Sequence, residues 1–369
     1  MSKLKESLQN KVQASLNNNY GIENYSEYRF GKFSPQPLSL KNELKRLVKK
    51  ILNYTPDKQI IVNKVDKYIA GFSEDLENLY NNINDKDKEL LVSLLAYRLL
   101  GYKKVKLPRN NAHYWKAIEK AKSIADPNDT YDPNFIHFIL NRFDLKPIGY
   151  DISFYFSITG VVMDYIIEQY AYSIDNKKLV SVEKDDIVLD LGACWGDTAL
   201  YFAHHCGDNG KVYSFEFIPG NIKLFHKNLA LNPKLASRIN LVEHPVSNVS
   251  NDKIYFKDRG PGSQVKFEPF DDQTGITHTV SIDDFVTTNN IERVDFIKMD
   301  IEGAEPLALE GAINTIKKHR PKLAIAIYHS LSDFAKIPNW ILNLDLDYEI
   351  FIDHFTIHAE ETICFAKPR

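Results

Sequence analysis

The chain of 369 residues carries 46 basic and 49 acidic side chains, with 44% hydrophobic and 26% charged residues. That balance excludes wholesale disorder and collagen-like chains, and a net charge of −3 gives no global reason to expect nucleic acid. At about 150 residues per domain the length suggests two domains or three. Three cysteines, Cys194, Cys206 and Cys364, cannot make a disulfide framework in so long a chain and point to a reducing compartment. The opening MSKLKESLQNKVQ has no apolar leader. The longest apolar stretch, FSITGVVMDYII, is about half a membrane span and holds Asp164, so a cytoplasmic protein without a transmembrane segment is expected.

The first predicted element of note is an amphipathic helix near 40–52. Leu40, Leu44, Leu47, Val48, Ile51 and Leu52 share one face, and Lys41, Lys45, Arg46, Lys49 and Lys50 surround it. A packing helix with a solvated basic face is the main reading, and a membrane-surface helix the minor one. Helical patterning continues through EDLENLYNNI, DKELLVSLLAYRLLG with Gly101 as C-cap, and HYWKAIEKAKSIA, which Asp126-Pro127 closes. Residues 1–148 therefore read as a mostly helical accessory domain serving acceptor recognition or oligomerisation.

From residue 149 strand-like runs alternate with helical ones. DIVLDLG, KVYSFEF, INLVEH, VDFIKMD and KLAIAIYH precede YEIFIDH and TICFAK, which stand too close together for a crossover helix. The expected architecture over 149–369 is an α/β fold with a mostly parallel sheet that ends in an antiparallel hairpin.

The clearest chemistry is LDLGACWGDT. The strand ends at Asp190-Leu191-Gly192, and Gly196 then opens a helix, so the backbone can approach a ligand and the helix N-terminus can face an anionic group. Neither the dinucleotide G-x-G-x-x-G nor a phosphate-loop pattern is met. The next strand ends in Glu216, 26 residues after Asp190, where an acid can accept both hydroxyls of an adenosine ribose. Phe217 and Ile218 follow as an apolar step suited to an adenine ring.

With DIVLDLGACWGDTALYFA, KVYSFEFIPGNIKLFHKNLALN, VSIDDFV, VDFIKMDIEGAEPLALEGA and HAEETICFAKP in place, the chain from about Gly149 to Lys367 resembles the FkbM family of S-adenosylmethionine-dependent methyltransferases. KMDIEGAE, Lys298 to Glu305, is the most specific block. The resemblance implies a class I (Rossmann-like) fold with a seven-stranded sheet, S-adenosylmethionine as cofactor, and O-methylation. The expected acceptor is a sugar hydroxyl in a surface glycan or its precursor, and a natural-product hydroxyl is the alternative. By matching position it implies that Asp190, Gly192, Cys194, Gly196, Asp197 and Thr198 surround the methionyl end. Glu216 would take the ribose, Phe217 and the segment His244 to Ser247 with Val246 would lie near the adenine, and Asp300 near the sulfonium. Gln169 and Tyr170 would close over the cofactor. Cys194 departs from the Asn common at that position.

Transfer to an aliphatic hydroxyl needs a general base or a metal. His329, with Glu302 orienting it, is the expected base, because a neutral imidazole accepts a proton near pH 7, and His354 is the reserve. Asp300 and Glu302 could hold a divalent cation, but two carboxylates are a weak signal and no metal is favoured. Two competing readings are weaker. Asp345-Leu346-Asp347 supplies a D-x-D pattern without the nucleotide site a glycosyltransferase needs. A non-enzymatic binding module would not need the combination of Gly192, Gly196, Glu216 and Asp300.

Overall fold

The computed structural model describes residues 2–34, 58–175 and 177–369, so the basic helix expected near 40–52 lies outside the described residues. The chain divides into two units, Met1–Asn110 with Thr356–Ala359, and Asn111–Phe355 with Glu360–Arg369.

The smaller unit is helical. α1 (Lys3–Ser15) starts under a Ser2 cap and buries Leu4, Leu8 and Val12, spaced four residues apart on one face. It packs with α2 (Lys58–Ile69), α3 (Ser73–Asn82) and α4 (Asp85–Leu100). Asn84 caps α4, and Gly101, at φ +78°, ends it as expected. The turn after α4 is pinned by buried Asn24, whose Nδ2 donates to the carbonyls of Tyr102 and Val105 at 2.6 and 2.7 Å.

The larger unit starts at Asn111, ahead of the 148/149 boundary that composition suggests. The reason is strand pairing: after α5 (Ala112–Ile124), β1 (Ala125–Tyr131) and β2 (Leu140–Asp144) form an antiparallel sheet with β3 (Ser153–Phe156). A short antiparallel pair, β4 (Tyr172–Ile174) and β5 (Lys177–Val180), comes next. The seven-stranded sheet is made of β6 (Ile187–Leu191), β7 (Lys211–Phe215), β8 (Ile239–Val242), β12 (Phe296–Met299), β13 (Lys322–Ala326), β14 (Tyr348–His354) and β15 (Thr362–Pro368), in the order β14-β15-β13-β12-β6-β7-β8. Pairs along β8 to β13 are parallel, while β15 runs antiparallel to both β13 and β14. The adjacent pairs Val188 and Leu189, Phe296 and Ile297, and Leu323 and Ala324 are fully buried, so these strands are covered on both faces. The chain moves outward one way from β6 to β8 and the other way from β12, so the loops after β6 and β12 flank a topological switch point, where open α/β sheets bind ligands.

Two features lie outside what periodicity can show. A second antiparallel sheet, β9 (Lys253–Lys257), β10 (Gln264–Lys266) and β11 (Gly275–His278), is inserted between β8 and α9 (Ile282–Thr288). The free edge of β3 is also closed by side chains rather than by a strand. Asn228 accepts from Tyr155 N at 2.8 Å and donates to Tyr155 O at 3.2 Å and Trp195 O at 2.9 Å. Asn232, one helical turn on, does the same for Ser153 at 2.9 and 2.6 Å. Helical i, i+4 spacing matches i, i+2 spacing along a strand, so two amide side chains stand in for a neighbouring strand. Asn228→Ala should cost about 2–3 kcal/mol, since it strands buried backbone groups of β3, and denaturant unfolding of the variant measures this.

Candidate functional site

The site is built on the switch point. Gly192, at φ +86°, follows β6, and a Cβ there would lie 1.9 Å from the Asp300 carbonyl. No side chain fits where the two loops cross. Gly196, at φ +85°, opens α7 (Asp197–Cys206), and Cys194 sits at φ +43°, a region where Asn is more at ease than Cys. Burial pushes the Cys194 thiol well above its ordinary range.

Beneath these loops is a buried ion pair that the sequence reading did not single out. Lys298, on β12, is 1% exposed and lies 3.3 Å from Asp190, which is fully buried at the end of β6. Lys298 Nζ also donates to the carbonyls of Leu191 and Gly192 at 3.1 and 2.6 Å and lies 5.4 Å from the centre of the Tyr170 ring. Asp190 accepts further bonds from the Thr198 and Ser214 hydroxyls. Asp190 and Thr198 therefore hold the loop from within, and neither lines the cavity. Burial opposes the Lys298 charge, but Asp190, Asp300 and Asp197 outweigh it and hold its pKa above the ordinary value. A lysine inside VDFIKMD was the available signal, since a charge in the middle of a buried strand needs a partner.

A cavity of about 380 Å³ opens at this edge of the sheet. Of the residues expected at the site, Gly192, Cys194, Glu216, Phe217, His244, Val246, Asp300 and Glu302 line it. Ile254, Val265 and Phe267 from the inserted sheet complete the wall, which no sequence signal announced. Glu216 Oε1 accepts from the backbone N–H groups of Phe217 and Ile218 at 2.7 and 2.8 Å, and Oε2 from Asn221 at 3.0 Å. Burial raises its pKa, against the pull of those three bonds. The carboxylate keeps acceptor capacity on the cavity side, since each oxygen has two lone pairs. His244 Nδ1 lies 3.0 Å from the His278 carbonyl.

Next to the cavity lies a group of buried acids. Asp164, on a π-helical turn Val162–Ile166, forms a carboxyl pair with Asp197, and Asp197 Oδ1 has no hydrogen-bond partner. Burial and the neighbouring acid push Asp164 well above the usual carboxylate range, and burial pushes Asp197 up to about 6, so the pair holds a shared proton near neutrality. Asp300 accepts from the Tyr328 hydroxyl at 3.0 Å and from Tyr170 at 3.3 Å. Burial opposes its charge, but His329, Lys298 and Tyr328 hold its carboxyl below the usual range. Glu361, at φ +68° before β15, accepts from Gln169 at 2.7 Å, and burial followed by the charge of Asp300 pushes it up to about 8.

The base expected at His329 needs correction. His329 Nε2 lies 3.3 Å from Asp300 and 3.1 Å from Glu305, and Nδ1 lies 3.9 Å from Glu302. Burial works against its charge, but Asp300 and Glu305 push the imidazole up to about 11, so it is an imidazolium and cannot accept a proton at neutral pH. The carboxylate brought beside Asp300 is Glu305, which is fully buried, while the Glu302 side chain is 60% exposed. His354, the reserve, is buried in the hairpin with Nδ1 2.9 Å from the Thr362 hydroxyl and does not line the cavity. Asp345 and Asp347 occupy the left-handed turn before β14 and do not line the cavity either.

The sheet order and the antiparallel hairpin define a class I methyltransferase-like fold. Residues 190–350 match the family model described as Methyltransferase FkbM domain. The chain is similar to the structure of methyltransferase FkbM from Methylobacillus flagellatus KT, at 18% identity and a TM-score of 0.52, covering 89% of this chain and 71% of that one. More distant structures include Aeropyrum pernix fibrillarin with natively bound S-adenosyl-L-methionine, at 14% identity, TM-score 0.33, and 50% and 67% coverage of the two chains. Another is a precorrin-6y C5,15-methyltransferase from Geobacter metallireducens GS-15, at 12% identity, TM-score 0.31, and 51% and 82% coverage. No curated protein sequence matches the chain.

Lys298→Ala should destabilise the larger unit by about 3–5 kcal/mol, because it leaves the Asp190 carboxylate buried and uncompensated. Urea unfolding monitored by tryptophan fluorescence measures the loss.

Proposed function

We propose that this chain transfers a methyl group from S-adenosylmethionine to a hydroxyl of a sugar in a surface glycan or its precursor. The observation that carries the reading is the surplus of buried carboxyl groups over buried cations beside the switch point, where Asp164, Asp197, Asp300 and Glu361 surround Tyr170, Asp300 among them lines the cavity, and the cations are Lys298 and His329. A cofactor with a sulfonium and an α-ammonium fits such a site, and the partnerless Asp197 Oδ1 is a ready acceptor for the ammonium. When bound, the cofactor supplies an electrophilic methyl, and transfer forms an O–C bond while the S–C bond breaks to leave a neutral thioether.

The residues have distinct tasks on this reading. Glu216 accepts from the ribose hydroxyls, with Phe217, His244 and Val246 beside the adenine. The loop at Gly192 to Gly196, held by Asp190 and Thr198, brings its backbone against the methionyl end. Tyr170 and Tyr328 orient Asp300 toward the sulfonium. Glu361 takes the acceptor's proton, since a carboxylate with a pKa near 8 is better matched to a hydroxyl than an ordinary one. Glu302, exposed at the rim, hydrogen-bonds the acceptor. The smaller, helical unit contributes acceptor recognition or subunit contact. Incubation with methyl-labelled cofactor and glycan or lipid-linked extracts, followed by mass analysis, tests the acceptor class, and a labelled product of a different chemical class would reject the glycan.

Calorimetry tests the cofactor site. Glu216→Ala should weaken binding by about 1.5–3 kcal/mol, the range for hydrogen bonds to a charged group. Affinity should also fall with pH. The ammonium needs the ionised Asp197, so binding is full above about pH 6 and declines below it as that carboxyl takes a proton. A flat profile between pH 5 and 8 would remove Asp197 from the site.

Turnover tests the base. At pH 7, where the Glu361 carboxyl is mostly protonated and adds little charge, Glu361→Gln should change cofactor affinity far less than kcat, which should fall about 10²-fold or more. In the unsubstituted enzyme the rate should rise through about pH 8, as the Glu361 carboxyl ionises. Retention of that rise in the glutamine variant would assign the base elsewhere.

A further inference from the structure

We infer that Asp300, Glu305 and His329 form a binding site for a divalent cation of the Mn²⁺ type, at the acceptor side of the cavity edge. One ligand atom from each of the three lies within 4.8 Å of the others. The closer distances are more telling. His329 Nε2 is 3.1 Å from Glu305 Oε1 and 3.3 Å from Asp300 Oδ1. Neighbouring ligand atoms around an octahedral ion with bonds of about 2.1 Å stand about 3.0 Å apart, so the spacing is that of an octahedral edge.

Hydrogen bonding supplies an independent argument. Glu305 is fully buried and its Oε2 has no hydrogen-bond partner, although Oε1 accepts from Ile301 N at 2.8 Å. His329 Nε2, for all its closeness to two carboxylates, is aligned for a hydrogen bond with neither. An orphaned oxygen on a buried carboxylate, beside a ring nitrogen aligned with neither of the carboxylates it lies against, is costly unless something else satisfies both groups. A cation meets both demands, and the carboxylates that draw a proton onto His329 would draw a metal ion in its place. Two carboxylates and one imidazole suit Mn²⁺ better than Mg²⁺, which prefers oxygen ligands and keeps its waters.

The position gives the ion a use. Asp300 lines the cavity, while Glu305 lies behind it, so three protein ligands on one side leave coordination positions open toward the acceptor. A cation there favours the ionised form of a hydroxyl beside it and fixes its orientation. That catalytic consequence rests on the methyl-transfer reading, whereas the binding site itself does not.

The test is calorimetric titration of the EDTA-dialysed full-length protein with MnCl₂ in the absence of cofactor. One site per chain is expected, with affinity at least tenfold weaker in Glu305→Gln and in His329→Gln. Glu305→Gln keeps an oxygen for Ile301 N, a cooperative melt of each variant without metal checks that it is folded, and the Mn²⁺-induced rise in Tm should be lost in both. No binding to the unsubstituted protein at millimolar MnCl₂, or equal binding by both variants, overturns the inference. Mn²⁺ binding without any S-adenosylmethionine binding would reject the proposed function and leave the metal site standing. Full methyl transfer in excess EDTA would reject a catalytic use of the ion.

Discussion

The site depends on one buried charge pair. Asp190 at the end of β6 and Lys298 on β12 join the two central strands at the point where the chain reverses its direction of winding. Such a pair gains little net stability, because desolvation of both ions offsets most of their attraction. Its effect here is geometric. The ammonium also caps the carbonyl of Gly192, just beyond β6, and adds to the bond the Leu191 carbonyl accepts from Asp300 N, so the glycine loop departs at one fixed angle. Exchange of the pair for apolar residues would remove the donor to the Gly192 carbonyl, and the loop would lose its anchor from below.

Around that fixed point the charges are unbalanced by construction. Asp164 and Asp197 share a proton, Asp300 relies on two tyrosines and a histidine, and Glu361 is only half ionised near pH 8. Each arrangement is a way of burying an acid without a full counterion. The cost is carried by the rigid sheet below, whose strands from β13 to β7 are closely buried and, apart from the Asp190–Lys298 pair, mostly apolar. A site organised in this way is stabilised by whatever positive charge enters it, which links cofactor affinity and protein stability.

The parts legible in the sequence are those whose signal is local. Strand runs, the glycine turn at Gly192 and Gly196, the strand-end acid Glu216 and the closing hairpin each occupy a few consecutive residues, and each lies where the pattern puts it. What was not legible depends on partners far apart in the chain. Glu305 becomes a site residue because β13 brings His329 beside it, and Glu361 because the hairpin returns to Gln169. The error at His329 has the same origin. An imidazole reads as neutral until the carboxylates that fold around it are known. Asn228 and Asn232 look like ordinary helix-surface polar residues, and only the edge of β3 gives them a purpose. Lys298 and Asp164 were visible as charges in apolar runs, a local anomaly whose partner could not be read.

Part of the backbone strain lies at the same edge of the sheet. Cys194, Glu302 and Glu361 hold positive φ on three separate loops, after β6, after β12 and before β15, all at the edge where the parallel strands end. Non-glycine residues in that region cost about 1–3 kcal/mol each and persist where the surroundings over-determine them. At Cys194 the departure from Asn makes the conformation costlier, since Asn tolerates it with its own side-chain hydrogen bonds. The loop nonetheless keeps its path, because Lys298 fixes it from below and the Gly192 contact with Asp300 fixes it from the side. Loop geometry at this site is thus imposed by the sheet rather than chosen by the loop residues, which leaves those residues free to vary with the ligand they meet.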